Sequence, residues 1–353
     1  MLTRSDNEVN KMKLGERKLK ILSAIVEMYI KTGEPVGSKT VCSNLDITVS
    51  PATVRNEMAN LVEMNLLKQP HTSAGRIPSN EGYRVYVNNM VRGKPLTQKE
   101  KDFIDNIFSL SSDDPEHLIK EASQALANMT KFTAIFTTPP GDDARIRDIQ
   151  FVQTGKRSVM VVLMTSTGMI KNRLFRCNYD VTPELLKIFR EVLKEKLHGK
   201  LLTDVKFELM NMVADYKSEI SLLMAPVINA VIEASNEAYN ANIKLGGKTN
   251  LLSIPEMGTD NIIKIFSFLD KRESILDLML SKDRGINIFI GNEIKYPELK
   301  NSSVIVTRYK VGNRSGAIGL IGPTRMDYSS LVTKLEYFAT SLETMLGKIL
   351  DIE

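Results

Sequence analysis

At 353 residues, 42% hydrophobic and 25% charged, the chain is long enough for two or three domains with cores of their own and has the makeup of an ordinary globular protein. It has no apolar run of the ~18 residues that would suggest a membrane span and no short apolar block at its N-terminus, so neither membrane insertion nor export is indicated and the expected compartment is the cytoplasm. The net charge of +5 is uneven: through Lys94 there are 14 basic and 9 acidic residues, and the remaining 33 of each cancel, which is the asymmetry expected when one end faces a polyanion.

Residues 1–13 are polar and lack any period, and are expected to be a disordered tail. Leu19, Ile21, Leu22, Ile25, Val26, Tyr29 and Ile30 then recur at helical spacing until Gly33 stops the run. After a Val36-Gly37 turn, Ser38 is read as the cap of a short second helix over 39–44 with Val41 inward. Ser50-Pro51, a cap followed by proline at the first helical position, predicts a third helix to about Asn65. Three helices with a tight turn between the second and third make a helix-turn-helix.

The third helix has two faces at about 100° per residue. Val54, Met58 and Leu61 fall on one side, Ala52, Asn56, Ala59 and Glu63 on the other, with Thr53 and Arg55 on the flanks. Small residues with a few hydrogen-bonding side chains are what a helix needs to approach base edges in the major groove, where arginine pairs with guanine and asparagine with adenine. The same pattern also fits a solvated amphipathic helix.

The stretch QPHTSAGRIPS, residues 69–79, bears on that choice. Two prolines, a glycine and one arginine among small polar residues cannot be core. With 66–68 entering a strand and 76–78 returning, the stretch forms a hairpin, and a helix-turn-helix followed by a hairpin is a winged helix. Its tip would lie beside the DNA backbone, with Arg76 against phosphate or in the minor groove and His71, Thr72 and Ser73 donating to phosphate. An ordinary surface turn is the other reading.

After a break at 93–95 the pattern changes. Residues 96–110 and 115–130 read as helices; 132–138, 146–154, 158–165 and 168–177 as strands; 182–240 as a long helical stretch; 286–290, 303–310 and 316–322 as strands again; and a final helix follows Asp327. This order predicts an α+β chain in which one antiparallel sheet carries a helical insertion. In the final helix Leu331, Leu335, Phe338, Leu342, Met345 and Ile349 form a stripe expected to dock on that sheet.

Signs of catalysis are scarce. His71, His117 and His198 are scattered, and no HExxH or nucleophile-elbow pattern occurs. Cys42 and Cys177 lie far apart outside any CxxC, which suits small buried thiols in a reducing compartment better than a disulfide or a zinc site. Leu245-Gly246-Gly247-Lys248-Thr249 has part of a phosphate-loop pattern, but position 242 is Asn where the pattern needs glycine. No enzyme, metal or cofactor is expected.

GERKLKILSAIVEMYIKTGEPVGSKTV and VSPATVRNEMANLVEMNLLKQPHTSAGRIPSNEGYRVYV, and farther on GGKTNLLSIPE, IFIGNEIKY and GAIGLIGPTRMDYSSLV, closely resemble the bacterial heat-inducible transcription repressor family HrcA over roughly residues 12–350. The resemblance implies a repressor of chaperone operons of the groE and dnaK class that binds double-stranded DNA, the inverted-repeat operator called CIRCE, as a homodimer. It further implies a GAF-like central domain with an inserted dimerising segment, and a GroEL chaperonin that keeps the repressor folded until heat diverts it to unfolded clients.

The expected organisation is a winged helix over 14–94, a GAF-like domain over 95–199 and 251–353, and a dimerising segment over 200–250 carrying Ile220, Leu223, Val227, Ile228 and Val231. The family's DNA-binding role carries onto Ser50, Ala52, Thr53, Arg55 and Asn56, onto His71, Thr72, Ser73 and Arg76, and, as phosphate contacts, onto Ser38 and Lys39. Arg325 in GPTRMDY is read as an internal ion pair at a corner where Asp327 caps the last helix; a ligand or switch role is the alternative. A competing function keeps the winged helix and makes the GAF-like domain a small-molecule receptor. A pocket of convergent polar groups would favour that reading, and a core filled by Phe132, Phe136, Val161 and Leu163 would oppose it.

Overall fold

A computed structural model describes residues 14–350 apart from 46–48, 72–73, 111–113, 140, 142, 216–217 and 281–284; the expected tail over 1–13 lies outside the described residues. Helix α1 (Glu16–Thr32) buries Ile21, Leu22, Ile25 and Val26 completely and ends at Gly33, whose left-handed backbone (φ 73°) lets its N–H reach the Tyr29 carbonyl. Helix α2 (Ser38–Ser43) is capped by Gly37, not by Ser38, which already lies inside the helix: it is the Gly37 carbonyl that accepts the Val41 N–H at 3.0 Å. Helix α3 (Pro51–Glu63) starts as its sequence predicts, with Ser50 Oγ accepting the Thr53 N–H and Pro51 in the first turn. Strands β1 (Leu67–Lys68) and β2 (Ile77–Pro78) pair antiparallel, and Val36 bridges Arg76 to add a third rung to the wing. Helix α4 (Asn80–Met90), capped by Ser79, closes the unit.

The body is a five-stranded antiparallel sheet in the order β7-β3-β10-β9-β8, built from β3 (Thr133–Thr137), β7 (Ile243–Gly246), β8 (Asn287–Ile290), β9 (Ser302–Val311) and β10 (Arg314–Pro323). Alternation along the strands sends Ile135, Val304, Val306, Ala317 and Ile321 to one face, covered by α10 (Gly258–Leu269) and α11 (Arg272–Leu280). Ala134, Phe136, Ile305, Tyr309, Ile318 and Leu320 face the other way, toward α5 (Gln98–Leu110), α6 (Pro115–Thr130) and α12 (Tyr328–Ile349). The phosphate-loop-like stretch is the end of edge strand β7. A side chain at Gly246 would meet the Ser123 carbonyl oxygen of α6 at 2.1 Å, so the glycine serves close packing, and Lys248 pairs with Asp270 at 3.0 Å.

Strands β4 (Ile146–Gln153), β5 (Ser158–Thr165) and β6 (Ile170–Arg176) do not join that sheet, contrary to the single-sheet expectation. They form a separate three-stranded sheet packed on α7 (Pro183–Leu197), α8 (Val205–Asp215) and α9 (Ser218–Tyr239), with a core of its own that runs from Ala144 to Ala238. The 200–250 boundary therefore cuts through one core. The unit leaves and returns through adjacent positions: the Thr138 N–H donates to the Asn242 carbonyl at 2.8 Å, and the Asn242 N–H donates to Thr138 Oγ1 at 2.6 Å. It is an insertion into the β3–β7 connection. Half-buried Glu116 ties it to the body, pairing with Lys171 of β6 and with Lys244 of β7 at 3.2 Å. Burial works against its charge, but the two ammonium groups win and hold its carboxyl below the usual range.

Phe136, Val161 and Leu163 are fully buried, but Val161 and Leu163 belong to the inserted unit and Phe136 to the body, while Phe132 is half-buried. The stripe of α12 docks on the sheet of its own chain as expected: Leu331, Leu335, Phe338 and Leu342 are buried, and Phe338 meets Phe108 of α5 edge-on at 6.0 Å. Phe338→Ala should cost about 3–5 kcal/mol of stability through the cavity it leaves. Denaturant unfolding would measure that loss, and sedimentation should show the same association state as the parent chain, since the ring is inside a protomer.

Candidate nucleic-acid interface

The start of α3 is built by its cap. Ser50 Oγ accepts the Thr53 N–H at 3.1 Å and lies 2.9 Å from Thr53 Oγ1, so both hydroxyls are engaged with each other at the helix mouth. Pro51 has no N–H, the Thr53 N–H is taken by the cap and the Val54 N–H by the Ser50 carbonyl at 3.0 Å, so what the mouth offers an anion is chiefly the positive end of the helix dipole. Along the helix Val54, Met58 and Leu61 are buried, while Ala52, Arg55, Asn56, Ala59, Asn60 and Glu63 are exposed and Thr53 is half-buried. Among the described residues, Arg55 and Asn56 enter no ion pair or side-chain hydrogen bond. Glu57 sits instead on the inner flank, 3.9 Å from Lys18 of α1, and ties the reading helix to the first.

Around this face lie the other residues singled out from sequence. Lys39 is exposed and Ser38 half-buried, both in the first turn of α2. His71 is exposed on the wing; Thr72 and Ser73 lie outside the described residues. Arg76 is half-buried. Its backbone exchanges hydrogen bonds with Val36 at 2.9 Å in both directions, and its Nη1 donates to the Ala74 carbonyl at 3.3 Å, so the guanidinium folds back and holds the loop. Two exposed residues were passed over in the sequence: Asn60, one helical turn beyond Asn56, and Lys68 on the wing strand. The period that selected Asn56 also selects Asn60.

The GPTRMDY corner lies at the back of the winged helix. Asp327 caps α12 by accepting the Ser330 N–H at 3.3 Å, and Arg325 pairs with Glu256 at 2.7 Å, the internal ion pair read from sequence. Arg325 Nη1 also donates to the Ile30 carbonyl in the last turn of α1, at 2.7 Å. Among the described residues no group of His, Cys, Asp and Glu is placed to hold a metal ion, and no helix is long and apolar enough to cross a membrane.

The family model described as "Winged helix-turn-helix transcription repressor, HrcA DNA-binding" matches residues 13–91, and that described as "HrcA protein C terminal domain" matches residues 116–332. Relatives named heat-inducible transcription repressor HrcA include one from Ruminiclostridium cellulolyticum, 35% identical with 96% of this chain and 99% of the relative covered. Another, from Halalkalibacterium halodurans, is 34% identical, covering 94% of this chain and 98% of its own. A crystal structure described as that of a hypothetical protein at 2.2 Å resolution shares the fold, with a TM-score of 0.69 at 22% identity over 96% of this chain and 100% of its own. At the helix mouth, Ser50→Ala should cost about 1 kcal/mol of stability, whereas Ser50→Asp should keep the cap and the melting temperature. If the mouth receives a phosphate, the Asp variant should lose DNA affinity while remaining as stable as the parent, which paired melting and fluorescence-anisotropy titrations would show.

Proposed function

We infer that this chain, which belongs to the HrcA family of heat-inducible transcription repressors, represses transcription by setting two winged helices, one from each protomer of a homodimer, on a CIRCE-type inverted repeat upstream of chaperone operons. The observation that carries this reading is the outer face of α3, where Arg55 and Asn56 stand exposed beside Ala52 and Ala59 on a surface flat enough to enter a major groove. In this reading Arg55 and Asn56 read base edges, and Ser50, Ala52 and Thr53 let the helix mouth approach phosphate. Ser38, Lys39 and His71 lie along the backbone with Thr72 and Ser73, and Arg76 shapes the wing. The protein works in the cytoplasm as a regulator and not as an enzyme. By likeness to the family, GroEL helps keep it folded, and heat relieves repression by drawing the chaperonin away.

The inserted unit supports the dimer. Of the residues expected at the contact, Val227, Ile228 and Val231 are buried in its own core, Leu223 is 42% exposed, and the side chain of Ile220 lies outside the described residues. The helices α7 and α9 pack on one face of its sheet. The opposite face carries Val152, Met160, Val162, Met164, Ile170 and Leu174, with Val152 facing Met160, Met160 facing Leu174 and Met164 facing Ile170 in register, and Gln150 and Asn172 on either side of Val162. Leu174 is 68% and Ile170 59% exposed. A largely apolar sheet face of this kind is costly in water, and a two-fold axis would set it against its own copy. We assign the dimer contact to it, ahead of the exposed Phe207 and Met210 on α8.

The small-molecule reading has one observation in its favour, a cleft of about 410 Å³ between the insertion and the body lined by Glu116, Ile119, Ile170, Val311, Arg314 and Leu346. Its charged groups are already engaged, Glu116 with two lysines and Arg314 with Asp143 at 3.2 Å. That leaves the repressor reading ahead.

A footprint on the chaperone promoters of the source genome at two temperatures tests the whole; absence of a protected inverted repeat would sink it. Arg55→Ala should lower operator affinity by about 1–3 kcal/mol and relax preference at one base position. Lys39→Ala should weaken operator and random duplex alike and reduce the salt slope by about one unit. Leu174→Glu should weaken the dimer at least tenfold, about 1.4 kcal/mol, in sedimentation, while Phe207→Glu leaves it intact; the reverse pattern would move the contact to the helices.

A further inference from the structure

Two arginines reach in opposite directions across the seam between the winged helix and the body. Arg84, on α4, donates from Nε to Glu293 Oε1 at 2.6 Å, from Nη2 to Glu293 Oε2, and from Nη2 to the Ile288 carbonyl in β8. Glu293 is itself fixed, because its Oε2 accepts the Ile290 N–H at 2.9 Å. From the body, Arg325 donates to the Ile30 carbonyl at the C-terminal end of α1 while Glu256 holds its Nε at 2.8 Å. Both side chains are largely covered, Arg84 at 12% and Arg325 at 26% exposure. Gly33, the left-handed residue that ends α1, lies against the Arg325 guanidinium: a side chain there would sit 3.6 Å from Cζ. An exposed ion pair fixes little, but a planar guanidinium gripping a carboxylate and a backbone carbonyl together fixes direction as well as distance.

We propose that Arg84 and Arg325 are positioning residues for operator recognition: without touching DNA, they set the angle at which the body presents α3, and hence the spacing between the two reading helices of a dimer. The proposal rests on the dimeric-repressor reading above. One base pair added between half-sites moves them ~3.4 Å apart and turns one by about 35°, so a rigid mount shows itself as intolerance of spacer length.

The test uses the full chain and three kinds of duplex: the inverted repeat mapped by the footprint, the same repeat with one or two base pairs added or removed at its centre, and a single half-site. Arg84→Ala and Arg325→Ala should each lose about tenfold in affinity for the native spacing and discriminate less against altered spacings. Both should bind the single half-site within about twofold of the parent, which also shows that they are folded. Arg84→Lys, which keeps the charge without the fork, should behave like Arg84→Ala. Equal losses on all three duplexes, unchanged spacer preference, or full recovery by Arg84→Lys would each overturn the proposal. Failure of the reading beneath it looks different: the parent chain itself would then bind the inverted repeat no better than a single half-site.

Discussion

The winged helix and the five-stranded body share one apolar core, and on that shared core the rest of the structure depends. Ile21, Leu22, Ile25 and Tyr83 of the first unit lie in one continuous cluster with Ile305, Tyr328, Leu335 and Phe338 of the second. At the seam the rings of Tyr83 and Tyr328 stand 6.1 Å apart, and the Tyr328 hydroxyl lies 2.8 Å from Ser303 Oγ and donates to the Thr324 carbonyl at 2.6 Å. Apolar burial has no direction, so such a core fixes nearness but not angle. Angle must come from polar contacts made across the seam. Helix α3 is therefore mounted on the body rather than tethered to it, which is not the arrangement expected of two domains joined by a short linker.

In the body and the insertion, many ionic groups have opposite partners close by: Glu116 has Lys171 and Lys244, Arg173 has Glu237, Lys271 has Glu298 and Lys295 has Asp277. At the outer surface of the winged helix, Arg55 and Lys39 stand exposed. An excess of only +5 is modest for a DNA-binding chain, and all of it falls within residues 1–94.

Much of this was legible because it is local. Caps at Ser50, Ser79 and Asp327, the proline at position 51, the α1 stripe and the α12 stripe each need only a few neighbouring residues to be read. What the sequence hid depends on distant partners. Strand β5 alternates as any half-buried strand does, and nothing in that alternation says which sheet it joins. Strand β7 was obscured by the glycines that let it lie close to α6, and α10 and α11 went unread between the stronger signals on either side. At the candidate site Arg55 and Asn56 fall where helical period puts them. Arg76, expected on the wing beside phosphate or in the minor groove, turns its guanidinium toward the Ala74 carbonyl, a contact that loop composition does not announce. Arg84 left no mark at all: its partner is 209 residues away, and a lone arginine on a helix looks like any solvated one.

The insertion and the DNA-reading unit are attached to the body in unlike ways. One is fused through a core; the other hangs from a neck of two strands, joined where Thr138 meets Asn242 and braced by Glu116. Substitutions inside the insertion are therefore confined to a unit with a core of its own, whereas a substitution in α1 or α12 disturbs packing that the winged helix and the sheet share, so the chain can vary the one without repacking the other.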